Sequence, residues 1–99
     1  MLIYNVTVNI DDDVHSEWLS WMKEEHIPKV MACGLFSDNR ILKVLADDEG
    51  HTYSIQYRCA SMDTLETYFN EHAPALQDEH TARYKDKFVA FRTILEEVT

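Results

Sequence analysis

The chain is poor in the residues on which several common functions depend. Gly34 and Gly50 are the only glycines among 99 residues, so no glycine-rich loop can cradle a phosphate. Cys33 and Cys59 are isolated thiols with neither metal nor redox spacing, which predicts a reduced, cytoplasmic protein. Lys and Arg number 9 against 18 Asp and Glu, a net charge of −9. Such a balance predicts neither nucleic acid nor an anionic membrane as a partner, because both need clustered cations. No apolar run approaches the ~18 residues of a membrane span. The first residues, Met1 to Asn5, lack the charged and apolar regions of a signal peptide. No Ser–His–Asp or Cys–His motif context occurs, and the Glu–His dipeptides at 25–26, 71–72 and 79–80 make no ligand pair, since helical neighbours point about 100° apart. The expectation is no metal and no cofactor. Repeats, linkers and low-complexity tracts are also missing, so residues 1–99 read as one domain. A domain this small buries only about two-thirds of its unfolded surface and gains from dimerisation.

What is present is strong patterning. Leu2, Tyr4, Val6, Val8 and Ile10 alternate with Ile3, Asn5, Thr7 and Asn9, a period-2 strand over 2–10. Asp11, Asp12 and Asp13 supply N-cap oxygens to a helix that carries Trp18, Trp21 and Met22 toward Glu25/His26. Pro28 interrupts it, because proline cannot donate to the carbonyl of residue 24, and Gly34 ends it. Further strands are predicted over Arg40–Ala46, Thr52–Cys59 and Phe88–Val98, with a polar loop at Asp47–Gly50. Ser61 caps a helix whose apolar face holds Leu65, Tyr68, Phe69 and His72. Pro74 opens a second segment in which Leu76, His80 and Tyr84 recur at i, i+4 and i+8.

The order strand, helix, strand, strand, helix, strand is the α+β, ferredoxin-like βαββαβ unit, a four-stranded antiparallel sheet with its helices on one face. Ile and Leu residues remain on both faces of strands one, two and four, so the open face needs a cover. A second copy packed sheet to sheet, a dimeric α/β barrel, supplies it.

The runs Tyr4-Asn5-Val6-Thr7-Val8, Trp18-Leu19-Ser20-Trp21-Met22-Lys23 with His26-Ile27-Pro28, Tyr53-Ser54-Ile55-Gln56-Tyr57 and Phe91-Arg92-Thr93-Ile94-Leu95 resemble a small bacterial family, domain of unknown function 4286. The resemblance implies a ferredoxin-like fold and no activity. More distantly, the architecture is similar to the dimeric α/β-barrel superfamily, which includes cofactor-independent quinol monooxygenases, small isomerases and haem-degrading enzymes. In some of the haem-degrading members an asparagine of the first strand, an aromatic of the third and a histidine of the second helix meet over one pocket. Asn5, Tyr57 and His80 stand at roughly corresponding places, with tyrosine where those enzymes have tryptophan.

Read for chemistry, His26 beside the proline is a base near neutral pH or a donor to a freed carbonyl. Arg58, Arg92 and Lys43 are cations inside strands of an acidic protein: either an anion site or partners of carboxylates such as Glu96 or of the partner chain. The expected function is a homodimer with a helix–sheet pocket for a small planar or aromatic molecule. In that pocket His26 and His80 are catalytic, and Asn5, Trp21, Tyr57 and Arg92 bind the ligand. Cofactor-independent monooxygenation or isomerisation is the reaction class. The competing expectation is a non-catalytic regulatory or protein-interaction module.

Overall fold

The computed structural model describes residues 1–46 and 49–98. Its elements run β1 (Leu2–Ile10), a 3-10 turn (Asp12–Val14), α1 (His15–Trp21), a π-helical turn (Met22–His26), α2 (Ile27–Ala32), β2 (Asp38–Val44), β3 (His51–Cys59), α3 (Met62–Glu71), α4 (Ala73–Arg83) and β4 (Phe88–Glu96). The four strands form one antiparallel sheet in the order β2-β3-β1-β4, with Tyr4 opposite both Tyr57 and Ile94. This is the ferredoxin-like α+β fold. Strand two starts at Asp38 rather than Arg40, and strand four ends at Glu96, two residues short of the sequence-based limit. Of the expected loop at 47–50, Asp47 and Asp48 lie outside the described residues, while Gly50 takes a φ of +76°.

Parity decides the two faces. On β1 the apolar set Tyr4, Val8 and Ile10 is buried, and on β3 so are Tyr53, Ile55, Tyr57 and Cys59. These pack against Trp18, Trp21, Val30, Leu65 and Tyr68 from the helices. A dense aromatic cluster results, with Tyr4 edge-on to Phe69 at 5.2 Å and Phe36 edge-on to Tyr68 at 4.9 Å. The other face carries Leu42, Val44, Val89, Phe91 and Leu95, all exposed, around a polar centre.

Two local expectations are corrected. None of the three aspartates caps the helix start through its side chain. Asp12 instead meets His51 at 2.7 Å and Asp13 meets Lys87 at 2.7 Å, a bond that holds the Asp13 carboxyl below its ordinary range. Nor does the first helix simply bend at Pro28. The irregularity begins upstream, where the Ile27 N–H reaches back five residues to the Met22 carbonyl. Pro28 has no N–H for the regular ladder, and the wide turn absorbs the mismatch just before it. The phase changes accordingly. A regular helix would put Glu25/His26 on the buried side after Met22, whereas the wide turn brings Ile27 and Val30 there. Elsewhere local chemistry behaves as expected: Ser61 Oγ accepts from the Thr64 N–H at 3.3 Å, and Pro74 lies in the first turn of α4.

Candidate functional site

Between the helices and the sheet lies a cleft floored by Tyr4, Val6, Ile55 and Tyr57, with Met22 and His26 on one side and Leu76, Gln77 and His80 on the other. Tyr68 and Phe88 complete its walls, and Arg92 stands at its edge. Counted out to the mouth it leaves about 480 Å³ unfilled, of which the centre of a water-sized sphere reaches about 40 Å³. It is narrow: at ~10–15 Å³ per water, that interior space holds about three.

Each histidine comes from a helix that positions it for a different reason. His26 closes the π turn, half-buried, and its Nδ1 is buried without any hydrogen-bond partner. Burial drives its pKa down to about 4, a fall opposed by Glu79 and aided by Lys29, which pair with each other at 2.9 Å. His80 sits on the inner face of α4, one turn after Leu76 and one before Tyr84. Its Nε2 accepts the indole N–H of the fully buried Trp18 at 2.9 Å, so the ring hydrogen is on Nδ1. Burial lowers its pKa to about 4 as well, with His26 and Arg92 adding to the effect. The two rings meet edge to face, centroids 5.7 Å apart, with Trp21 behind them at 5.0 Å from His26 and 5.8 Å from His80. Phe88 closes on His80 at 4.4 Å. At pH 7 both imidazoles are therefore neutral, and each can accept or relay a proton in a largely apolar cleft.

Of the residues expected at the site, His26, His80, Tyr57 and Arg92 come together along the cleft, and Trp21 backs the imidazoles. Asn5 does not join them. It lies on the opposite face of the sheet, where its amide bonds Thr7 and Thr93 at 3.1 Å each and accepts from Ser54. The cause is strand parity: Tyr4 and Tyr57 are register partners facing the helices, so Asn5 points the other way. The trio of Asn5, Tyr57 and His80 is thus split by the sheet. Tyr57 itself serves as wall, its hydroxyl pushed well above the ordinary tyrosine range by burial and by Tyr68 and Tyr4.

The strand cations divide as well. Arg58 pairs with Glu97 at 2.9 Å and Asp38 at 3.4 Å, and the Lys43 ammonium lies 3.4 Å from His51. Arg92, opposite Val6 and on the helix side, has no carboxylate partner among the described residues. It lies beside the Tyr4 hydroxyl together with Gln77; burial raises the pKa of that hydroxyl, and Arg92 partly offsets the rise. Sequence reading missed Trp18 as the donor that fixes His80, and Tyr4 and Gln77 as lining. Gln77 was findable, since it precedes His80 by three on the same helical face. Among the described residues no three His, Cys, Asp or Glu side chains group as metal ligands, and no helix is long and apolar enough to cross a membrane.

A four-stranded antiparallel sheet with helices on one face and a cleft between the layers defines a ferredoxin-like α+β protein. The chain belongs to the family described as Domain of unknown function (DUF4286), whose model matches residues 1–98. Comparison with curated proteins found no match. Among solved structures, the chain is similar to a mutant of MhuD with two manganese protoporphyrin IX bound per active site, at TM-score 0.72 and 15% identity, covering 100% of this chain and 96% of that one. It is similar to an antibiotic biosynthesis monooxygenase at TM-score 0.66 and 13% identity, covering 100% of both. A dimeric ferredoxin-like protein from an uncultured marine organism matches at TM-score 0.67 and 13% identity, over 100% of this chain and 96% of that chain. At such identities the likeness is one of fold.

Proposed function

We propose that the cleft binds a small planar aromatic molecule, that His26 accepts a proton from it, and that the protein works as a homodimer closed over its open sheet face. The observation that carries this reading is the buried, partnerless Nδ1 of a histidine lining the cleft. Buried polar atoms in folded proteins are nearly always satisfied, and an exception beside a cleft points to an acceptor for a ligand's O–H or N–H. A π turn supplying that histidine fits the same reading, since such turns recur at functional sites. His80, oriented by Trp18, keeps an Nδ1–H to place a substrate oxygen, while Tyr57 and Phe88 flank a ring.

Proton removal from an electron-rich ring is the shared first step of isomerisation and of cofactor-independent oxygenation. In the second, a quinol plus O2 gives a hydroxyquinone plus water, all electrons coming from the quinol. Fold similarity to an antibiotic biosynthesis monooxygenase supports this reaction class. The dimer is supported by the exposed apolar strip of Val89, Phe91, Leu42 and Val44 and by the fold of a protein described as dimeric.

Titration of 1,4-dihydroxynaphthalene against the fluorescence of Trp18 and Trp21, with oxygen uptake followed in parallel, tests the reading. Saturable quenching and uptake by the wild type, both lost in His26→Leu, support it. An unresponsive wild type leaves the non-catalytic interaction module as the better account.

A further inference from the structure

We infer that the aromatic ligand is an anion, held by Arg92 through a carboxylate or phenolate at one end while its opposite end carries the O–H or N–H that His26 accepts. The inference rests on the pocket reading above and adds the chemical class. In a chain of net charge −9, cations have no shortage of carboxylates. Lys29, Arg58, Arg83 and Lys87 each have one within 4 Å. Arg92 has none among the described residues, and neither do Lys23, Arg40, Lys43 and Lys85, but of these five only Arg92 lines the cleft. Its neighbours there are the Tyr4 hydroxyl and Gln77, both neutral hydrogen-bonding groups.

The remaining lining is mostly apolar or neutral, so a negative group entering the cleft meets one cation and no fixed anion. Glu79, the acid that bears on His26, is engaged by Lys29. A guanidinium offers a planar fork that a carboxylate matches with two bonds, whereas a neutral ester matches with one weak bond at best.

Calorimetric titration with 4-hydroxybenzoate and with its methyl ester, on wild type, Arg92→Gln and Arg92→Lys, tests the assignment. The acid is expected to bind at least 10-fold more tightly than the ester, a difference of about 1.4 kcal/mol. Arg92→Gln brings the acid to the level of the ester and leaves the ester unchanged, and Arg92→Lys falls between. Equal binding of acid and ester by the wild type, or an Arg92→Gln variant that still prefers the acid, overturns the anion while leaving the pocket intact. Failure of both probes to bind overturns the pocket reading and this inference together. A thermal melt of each variant separates lost binding from lost folding, and Arg92→Lys keeps the test sound should the glutamine variant unfold.

Discussion

Acid should unfold this protein earlier than its charge would suggest, because His26 and His80 are buried as neutral rings. Each titrates near 6.5 in the unfolded chain and at about 4 in the folded one. As pH falls below 6.5 the unfolded state takes up protons that the folded state refuses, so stability is complete above 6.5 and declines down to about 4. At ~1.4 kcal/mol per pH unit, each ring withdraws about 1.4 kcal/mol by pH 5.5. At pH 5.5 both folded rings are still uncharged, so the two losses add to about 2–3 kcal/mol. The opposing effect has the other sign: acidification discharges carboxylates of a −9 chain and relieves self-repulsion, which stabilises. Urea melts at pH 7.5, 6.5 and 5.5, above the sequence isoelectric point near 4.8, separate the two. With a urea dependence of ~1–2 kcal/mol per molar for a small domain, the midpoint should drop by about 1–3 M. His15, whose pKa burial also lowers, contributes to the wild-type slope, so the decisive comparison is with His26→Leu. That variant should lose about half the acid sensitivity. At pH 7.5 it should equal or exceed the wild type by up to ~1 kcal/mol, because an unsatisfied buried nitrogen has gone. A wild-type midpoint that is flat or rises between pH 7.5 and 5.5 refutes the buried-neutral picture, as does an unchanged slope in His26→Leu.

Three other outcomes are expected. His80→Leu should cost about 1–3 kcal/mol in thermal or urea melts by leaving the Trp18 indole N–H buried without an acceptor. Adding Trp18→Phe should cost less than the sum of the two single changes, and strict additivity would show that the bond is not formed. Gly50→Ala should destabilise more than Gly34→Ala: both glycines have φ near +77°, but only at Gly50 would a Cβ meet backbone, the Ile10 carbonyl at 2.7 Å. Equal costs would mean that the loop moves aside. Phe91→Glu, on a side chain 61% exposed in the single chain, should yield a folded monomer by native mass spectrometry while the wild type runs as a dimer. A monomeric wild type removes the barrel.

Most of the fold was legible because its elements obey simple periods. The alternation in β1 and β3, the Ser61 cap and the Pro74 start all carry local physical causes that tertiary contacts do not override. The site was legible in its parts and illegible in its assembly. His80 was placed by the spacing of Leu76 and Tyr84, but nothing local says that Trp18, 62 residues away, would hold its Nε2. Asn5 failed for an instructive reason: its sequence position matched a pattern, while its strand parity contradicted it. Leu2, Tyr4, Val6, Val8 and Ile10 are uniformly apolar and Asn5, Thr7 and Asn9 are not, so the polar set faces away from the helices. The wide turn before Pro28 could not be read at all, because a missing N–H allows several local repairs and only the packing of Ile27 and Val30 selects among them.

That wide turn makes the helix a ruler with one extra mark. Each helical residue advances 1.5 Å and rotates about 100°, so removing any single residue from 22–26 restores a regular helix and dials everything beyond it round by more than a quarter turn. Such a deletion improves backbone hydrogen bonding locally while pulling Ile27 and Val30 off the core and changing where the histidine falls. Insertions and deletions here are therefore not neutral loop-length changes, as they are elsewhere on a surface. The register of the whole first layer over the sheet hangs on an odd residue count, and a designer shortening this helix by one would obtain a better helix and a different protein.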